Sequence, residues 1–87
     1  MKILPAVTQS SVVSGDRFFC ARKIEEDAYR IVESWPLPKQ AKRACVILAD
    51  HEFRNGRTPA AYVVLEFKNP HEPDPQYEVV DTYERSK

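Results

Sequence analysis

Two apolar runs dominate the sequence, Ala44-Cys-Val-Ile-Leu-Ala-Asp-His-Glu-Phe53 and Ala60-Ala-Tyr-Val-Val-Leu-Glu-Phe-Lys68. The segment between them, Arg54-Asn-Gly-Arg-Thr-Pro59, contains the Asn-Gly pair that is typical of tight hairpin turns. Because both runs are rich in residues that favour strands, we predict that they form an antiparallel β-hairpin.

Length and composition indicate a single globular domain over residues 1–87. The chain has 87 residues, of which 43% are hydrophobic and 30% charged, and its formal net charge is zero. No apolar run approaches the ~20 residues that a membrane-spanning helix needs, and the N-terminus does not resemble a signal peptide. We therefore expect a cytoplasmic protein that has no membrane partner.

The two cysteines, Cys20 and Cys45, lie among apolar neighbours and are too far apart in sequence to form a CxxC motif. A disulfide is disfavoured in a reducing cytosol, and the spacing does not match a metal site. We expect two buried free thiols.

A helix is predicted from Asp16 to Ser34. Apolar residues recur there at spacings of three and four, which is the pattern of one apolar helix face: Phe18, Ala21, Ile24, Ala28, Ile31, Val32 and Trp35. Asp16 suits the N-cap position, and Pro36 and Pro38 are expected to end the helix.

The remaining segments complete an α+β fold. Lys2 to Thr8 and Gln76 to Glu84 are predicted strands, and Pro5 places the first of them at a sheet edge. The expected order is β-α-β-β-β, with one helix packed on one face of a mostly antiparallel four-stranded sheet. The partner of the N-terminal strand is left open.

Strand parity assigns side chains to the two faces of the predicted sheet. The helix-covered face receives the odd-numbered residues, so Val63, Leu65 and Phe67 are expected to face Asp81, Val79 and Tyr77 on the next strand. His51 and Asp81 then fall in one row, but one strand separates them by roughly 9–10 Å. That distance excludes a direct hydrogen bond, so we interpret both residues as structural rather than catalytic.

A metal site is not expected either. His71 and Glu72 in the proline-rich segment are potential ligands, together with Asp50, His51 and Glu52. Their spacing matches no known ligand pattern, and the sequence has no cofactor signature.

The opposite face of the predicted sheet has no helix to cover it, so we predict a protein-binding surface there. It combines an apolar centre with an acidic rim, as protein interfaces do. The predicted residues are Leu48, Asp50, Glu52, Tyr62, Val64, Glu66, Glu78 and Val80. An ordinary solvated sheet face explains the same pattern equally well.

A basic cluster offers a second kind of surface. Residues 39–43, Lys-Gln-Ala-Lys-Arg, follow the predicted helix and could meet Arg22 and Lys23 only if the fold brings them together. A nucleic-acid site would therefore use Arg22, Lys23, Lys39, Lys42 and Arg43.

The sequence favours a small non-enzymatic protein-binding module, such as an inhibitor, adaptor or regulator. An inhibitor of a host machine, encoded by a phage or a bacterium, would suit the size and charge. The alternatives are a nucleic-acid-binding regulator and, third, a small enzyme that uses His51. We expect a monomer or a weak homodimer that carries no cofactor.

Overall fold

The computed structural model describes residues 2–4, 6, 13, 15–56, 60–68 and 76–86. Within them the elements are β1 (Lys2–Leu4), β2 (Phe18–Glu25), β3 (Ala28–Trp35), α1 (Pro38–Arg54), β4 (Ala60–Phe67) and β5 (Tyr77–Arg85). The strands form one sheet in the order β1-β3-β2-β4-β5, in which β1 is parallel to β3 and the other neighbours are antiparallel. One helix packed against a mixed sheet confirms the α+β class, with five strands instead of four.

The predicted helix over residues 16–34 is wrong, because this segment is mainly the β2–β3 hairpin. Glu25 pairs with Ala28, so residues 26 and 27 form a two-residue turn. Both strands of this hairpin bury apolar residues on both faces of the sheet, and their pairing is shifted by bulges after Cys20 and after Lys23. Because odd- and even-numbered positions are both apolar and bulges shift the alternation, the apolar residues recur at spacings of three and four, as they do in a helix.

The predicted strand over residues 44–53 is also wrong, because it lies inside α1. The residues of α1 buried against the sheet are Ala41, Ala44, Cys45 and Ala49, which follow a helical spacing. Pro38 stands in the first turn, where its missing N–H is harmless, so it begins this helix instead of ending an earlier one. Asn55 is the C-cap and Gly56 follows it with a φ of 85°, so Asn-Gly ends a helix and does not turn a hairpin.

The observed order is therefore β-β-β-α-β-β, not β-α-β-β-β. The last two strands were predicted correctly, and both pairs Leu65 with Val79 and Phe67 with Tyr77 are confirmed. A bulge between Val64 and Leu65 then shifts the register by one, so that Val63 faces Thr82 and not Asp81. β1 and β5 are the edges of the sheet, as predicted; residues 5, 7 and 8 of the predicted first strand lie outside the described part.

Apolar clusters lie on both faces of the sheet. The cluster between α1 and the sheet contains Cys20, Ala41, Ala44, Cys45, Ala49, Ala60, Tyr62 and Val64. The cluster on the other face contains Phe19, Ala21, Ile31, Val63 and Leu65, with Phe67 and Tyr77 stacked beside them at a ring distance of 5.1 Å. Even-numbered residues of β4 thus face the helix, which is the reverse of the predicted parity.

Candidate functional site

The sheet face predicted to be uncovered is the one that α1 covers. Tyr62 and Val64, the expected centre of a binding surface, are only 4% and 0% exposed. The Tyr62 hydroxyl donates a 2.8 Å hydrogen bond to Oε1 of Glu52. Burial, reinforced by this hydrogen bond, raises the pKa of Tyr62. Both residues belong to the core, so the predicted open centre of the interface does not exist.

Leu48, Asp50 and Glu52 lie on α1 and not on a strand. Oδ1 of Asp50 accepts hydrogen bonds of 3.0 Å from the Tyr83 hydroxyl and from Nη1 of Arg85. Glu52 contacts Arg22 at 3.5 Å besides bonding to Tyr62. These two carboxylates, expected on an interface rim, anchor the C-terminal half of the helix to the sheet.

The other predicted interface residues, Glu66, Glu78 and Val80, lie on β4 and β5. Glu66 and Glu78 form ion pairs with Lys68 at 3.0 and 3.1 Å. Val80 is 42% exposed on the edge strand. The eight predicted residues therefore do not form one surface, and a partner contact at Glu78 or Val80 stays a prediction.

His51 and Asp81 do not share a row. His51 is exposed on α1, with its Nε2 3.2 Å from Nδ2 of Asn55. Asp81 accepts a 2.8 Å hydrogen bond from Nζ of Lys42. This hydrogen bond, followed by one from the Thr82 backbone N–H, lowers the pKa of Asp81. His51 on α1 and Asp81 on β5 therefore have separate partners.

No group of three potential metal-ligating side chains occurs among the residues that the structure describes. Two of the ligands considered from the sequence, His71 and Glu72, lie outside the described ranges.

The predicted basic cluster is divided along α1. Lys39, Lys42 and Arg43 belong to the first two turns of the helix, whereas Arg22 contacts Glu52 near its other end. Glu52 is thirteen positions after Lys39 along the helix, which is about 20 Å. Lys42 is also engaged with Asp81, and Lys23 is exposed at the far end of β2. The five residues thus do not meet on one surface.

A groove lies between α1 and β3. Its volume is about 450 Å³, and it is lined by Glu33, Trp35, Gln40, Arg43, Ala44, Ile47 and Leu48. Ile47 is 59% exposed, although it is a large aliphatic residue. The helical residues of the lining recur at spacings of three and four, so the groove follows α1 for about 12 Å.

The position of the groove follows from the widths of the two layers. The centres of five strands span about 19 Å, whereas a helix is about 10 Å wide and covers roughly two strands. α1 packs chiefly on β4 and β5, and of the strands that it contacts it packs least on β3. The helix-side surface of β3 is therefore only partly covered, and Glu33 and Trp35 project from it into the groove.

Trp35, one of the lining residues, also carries a buried polar group. Its indole N–H is buried and has no hydrogen-bond acceptor among the described residues. An unsatisfied buried donor costs about 1–3 kcal/mol, and the great majority of such groups in native proteins are paired.

Sequence reasoning missed this groove because it assigned Trp35 to the buried face of a helix and Ile47 to a strand. Leu48 and Arg43 were each selected, but for different surfaces. The available signal was the helical phase of residues 40–48, which places Arg43 and Ile47 together once α1 is recognised.

In comparisons with known proteins, no family profile matches the chain, and neither does any curated protein or solved structure. Among the described residues, no helix is long and apolar enough to cross a membrane.

Proposed function

We propose that this chain is a non-enzymatic, cytoplasmic protein-binding module, acting as an inhibitor, adaptor or regulator, and that the groove between α1 and β3 is its binding site. The occupant we propose is the apolar face of an amphipathic helix from a partner protein. The observation that carries the proposal is the exposure of Ile47 beside the partly covered ring of Trp35.

The composition of the groove supports a protein ligand. Trp and Arg are enriched among the residues that dominate binding energy in interfaces, and the groove contains one of each, Trp35 and Arg43. Apolar burial contributes roughly 25 cal/mol per Å², so covering Ile47 and the indole ring favours association.

The shape of the groove supports a helical ligand. It runs beside two turns of α1, and packed helices lie about 8–10 Å apart. A partner helix in this position would complete a two-helix layer over the five-stranded sheet. It would present aliphatic anchors at spacings of three, four and seven residues towards Ile47 and Leu48.

Charge complementarity restricts the partner helix further. The groove carries one carboxylate, Glu33, and one guanidinium, Arg43, at its polar positions. We therefore expect the partner helix to carry an acidic residue opposite Arg43 and a basic residue opposite Glu33, which would fix its orientation more than its affinity.

The test begins with a photo-crosslinking residue placed at position 47 of the full chain and, as a control, at position 24. Ile24 is 40% exposed and lies on β2 beside the hairpin turn, at the other end of the β2–β3 hairpin from Trp35. A protein captured from position 47 and not from position 24 is then purified, and its affinity is measured by calorimetry.

We expect Ile47→Asp to weaken the purified complex at least tenfold, and Ile24→Asp to change it less than twofold. Circular dichroism and thermal melting of both variants show whether the fold is retained. Equal capture from positions 24 and 47, or full affinity of a folded Ile47→Asp variant, would contradict the proposal. A concentration-dependent homodimer that Ile47→Asp dissociates would instead identify the occupant as a second copy.

A further inference from the structure

Two thiols meet in the interior, at the point where the helix touches the centre of the sheet. Cys20 lies on β2 and Cys45 on α1, and both residues are 0% exposed. Their Sγ atoms are 3.3 Å apart, and Sγ of Cys45 also lies 3.4 Å from the carbonyl oxygen of Val63. Both cysteines are free.

The geometry brings the sulfurs near bonding distance. A disulfide requires an S–S separation of about 2.05 Å, so the two sulfurs need to approach by only about 1.3 Å. Side-chain rotation and a small displacement of α1 along the direction of contact supply such a movement. Two cysteines that are buried in the same core without sulfur–sulfur contact would need a larger rearrangement to form a disulfide.

The two thiols are also chemically unequal. The hydrogen bond between the sulfurs, together with burial, raises the pKa of Cys20. The same hydrogen bond, helped by the positive charge of Lys42, lowers the pKa of Cys45 against the opposing effect of burial. We therefore assign the attacking thiolate to Cys45, whose pKa is lowered.

We propose that Cys20 and Cys45 are an oxidation site at which hydrogen peroxide forms an intramolecular disulfide between α1 and β2. This proposal does not depend on the groove or on any partner protein.

The chemistry takes two balanced steps. The Cys45 thiolate attacks one oxygen of the peroxide, the O–O bond breaks, and hydroxide leaves, so that Cys45 becomes a sulfenic acid. Cys20 then attacks the sulfenic sulfur, the S–O bond breaks, and the departing hydroxide takes up the thiol proton as water. In total, two thiols and one peroxide give one disulfide and two waters.

The disulfide would change the stability of the chain. It closes a loop from residue 20 to residue 45 and thereby restricts the unfolded state, so we expect the melting temperature to rise by on the order of 10 °C. Because both sulfurs are buried, peroxide reaches them only when α1 opens transiently from the sheet. Reductants need the same opening to reverse the bond.

The test treats the reduced full chain with hydrogen peroxide and follows its intact mass, its thiol content in denaturant and its melting temperature. We expect a mass loss of about 2 Da, two thiols consumed, and a higher melting temperature. Proteolytic mapping should find one linked pair of peptides, containing positions 20 and 45, at a rate independent of protein concentration.

Single variants provide the matched control. Cys20→Ser and Cys45→Ser cannot close the bond, so they should gain oxygen and show no rise in melting temperature. If a variant does not fold, the proteolytic mapping of the wild-type chain still tests whether Cys20 and Cys45 become linked. The proposal is overturned if wild-type protein gains oxygen on each cysteine without losing hydrogen, or if the disulfide forms between two chains.

Discussion

Tyr62 and Glu52 connect the middle of the sheet to the C-terminal half of the helix through a 2.8 Å hydrogen bond, in which the phenol donates to the carboxylate. Arg22 contacts the same carboxylate at 3.5 Å. Tyr62 and Glu52 therefore have a structural role, although both were predicted to lie on the surface. Their hydrogen bond holds α1 over β4. The helix-side surface of β3 is consequently left partly uncovered by α1.

Loss of this hydrogen bond should destabilise the fold. Tyr62→Phe removes the donor and leaves the half-buried Glu52 with fewer partners, so we expect a loss of about 1–2 kcal/mol in the free energy of unfolding. Tyr62→Ala, which also leaves a cavity, should cost about 3–5 kcal/mol. Urea denaturation measures both. Tyr77→Phe is the control, because its ring keeps its stacking on Phe67 and stability should change little.

The ion pair between Lys42 and Asp81 should make stability depend on pH. The pKa of Asp81 is lowered in the folded chain, so its contribution is present above the unfolded value of about 3.9 and is lost as the pH falls through the folded value. We expect Asp81→Asn to be less stable than the wild type at pH 7 and equally stable near pH 2. Half of the Asp81 side chain is exposed, so the difference should be small and should shrink in high salt. If the stability difference between Asp81→Asn and the wild type persists unchanged near pH 2, the ion pair with Lys42 is not its cause.

The helix end offers a test of the chain order itself. Gly56 has a φ of 85°, which side chains with a Cβ adopt only with strain. Gly56→Ala should therefore reduce the free energy of unfolding by about 1 kcal/mol, and Gly56→Asn by less, because Asn tolerates this conformation better. Chemical denaturation of the two variants beside the wild type makes the comparison. A stabilising Gly56→Ala would contradict the described cap.

Local sequence signals were sufficient for the α+β class, for β4 and β5, and for part of their register. They failed where one signal has two meanings. Pro38 can follow one helix or begin the next, and Asn55-Gly56 can turn a hairpin or end a helix. Only the packing of Ala41, Ala44 and Ala49 against the sheet distinguishes these readings.

The faces of the sheet could not be predicted for a related reason. β4 carries apolar residues at both parities, since Val64 faces the helix and Val63 and Leu65 face the other cluster. Parity cannot identify the covered face when both are apolar. The bulge on β5, where Val80 is skipped between the partners of Val64 and Leu65, then brings Asp81 to the side of Lys42, which no local pattern indicates. The groove depends on all of these placements, and so it lay beyond sequence reasoning.

Trp35 allows the proposed binding site to be observed directly. It is the single tryptophan of the chain, so a ¹⁵N-labelled sample gives one indole N–H signal, and that signal reports on a residue that lines the groove. The measurement is a titration of the labelled chain with the unlabelled protein captured from position 47, followed by heteronuclear NMR. We predict that the Trp35 indole signal shifts and saturates together with the Ile47 amide, whereas the amides of Phe67 and Tyr77 on the other face do not move. Saturation of binding with an unchanged Trp35 indole signal would contradict the assignment of the groove as the partner site.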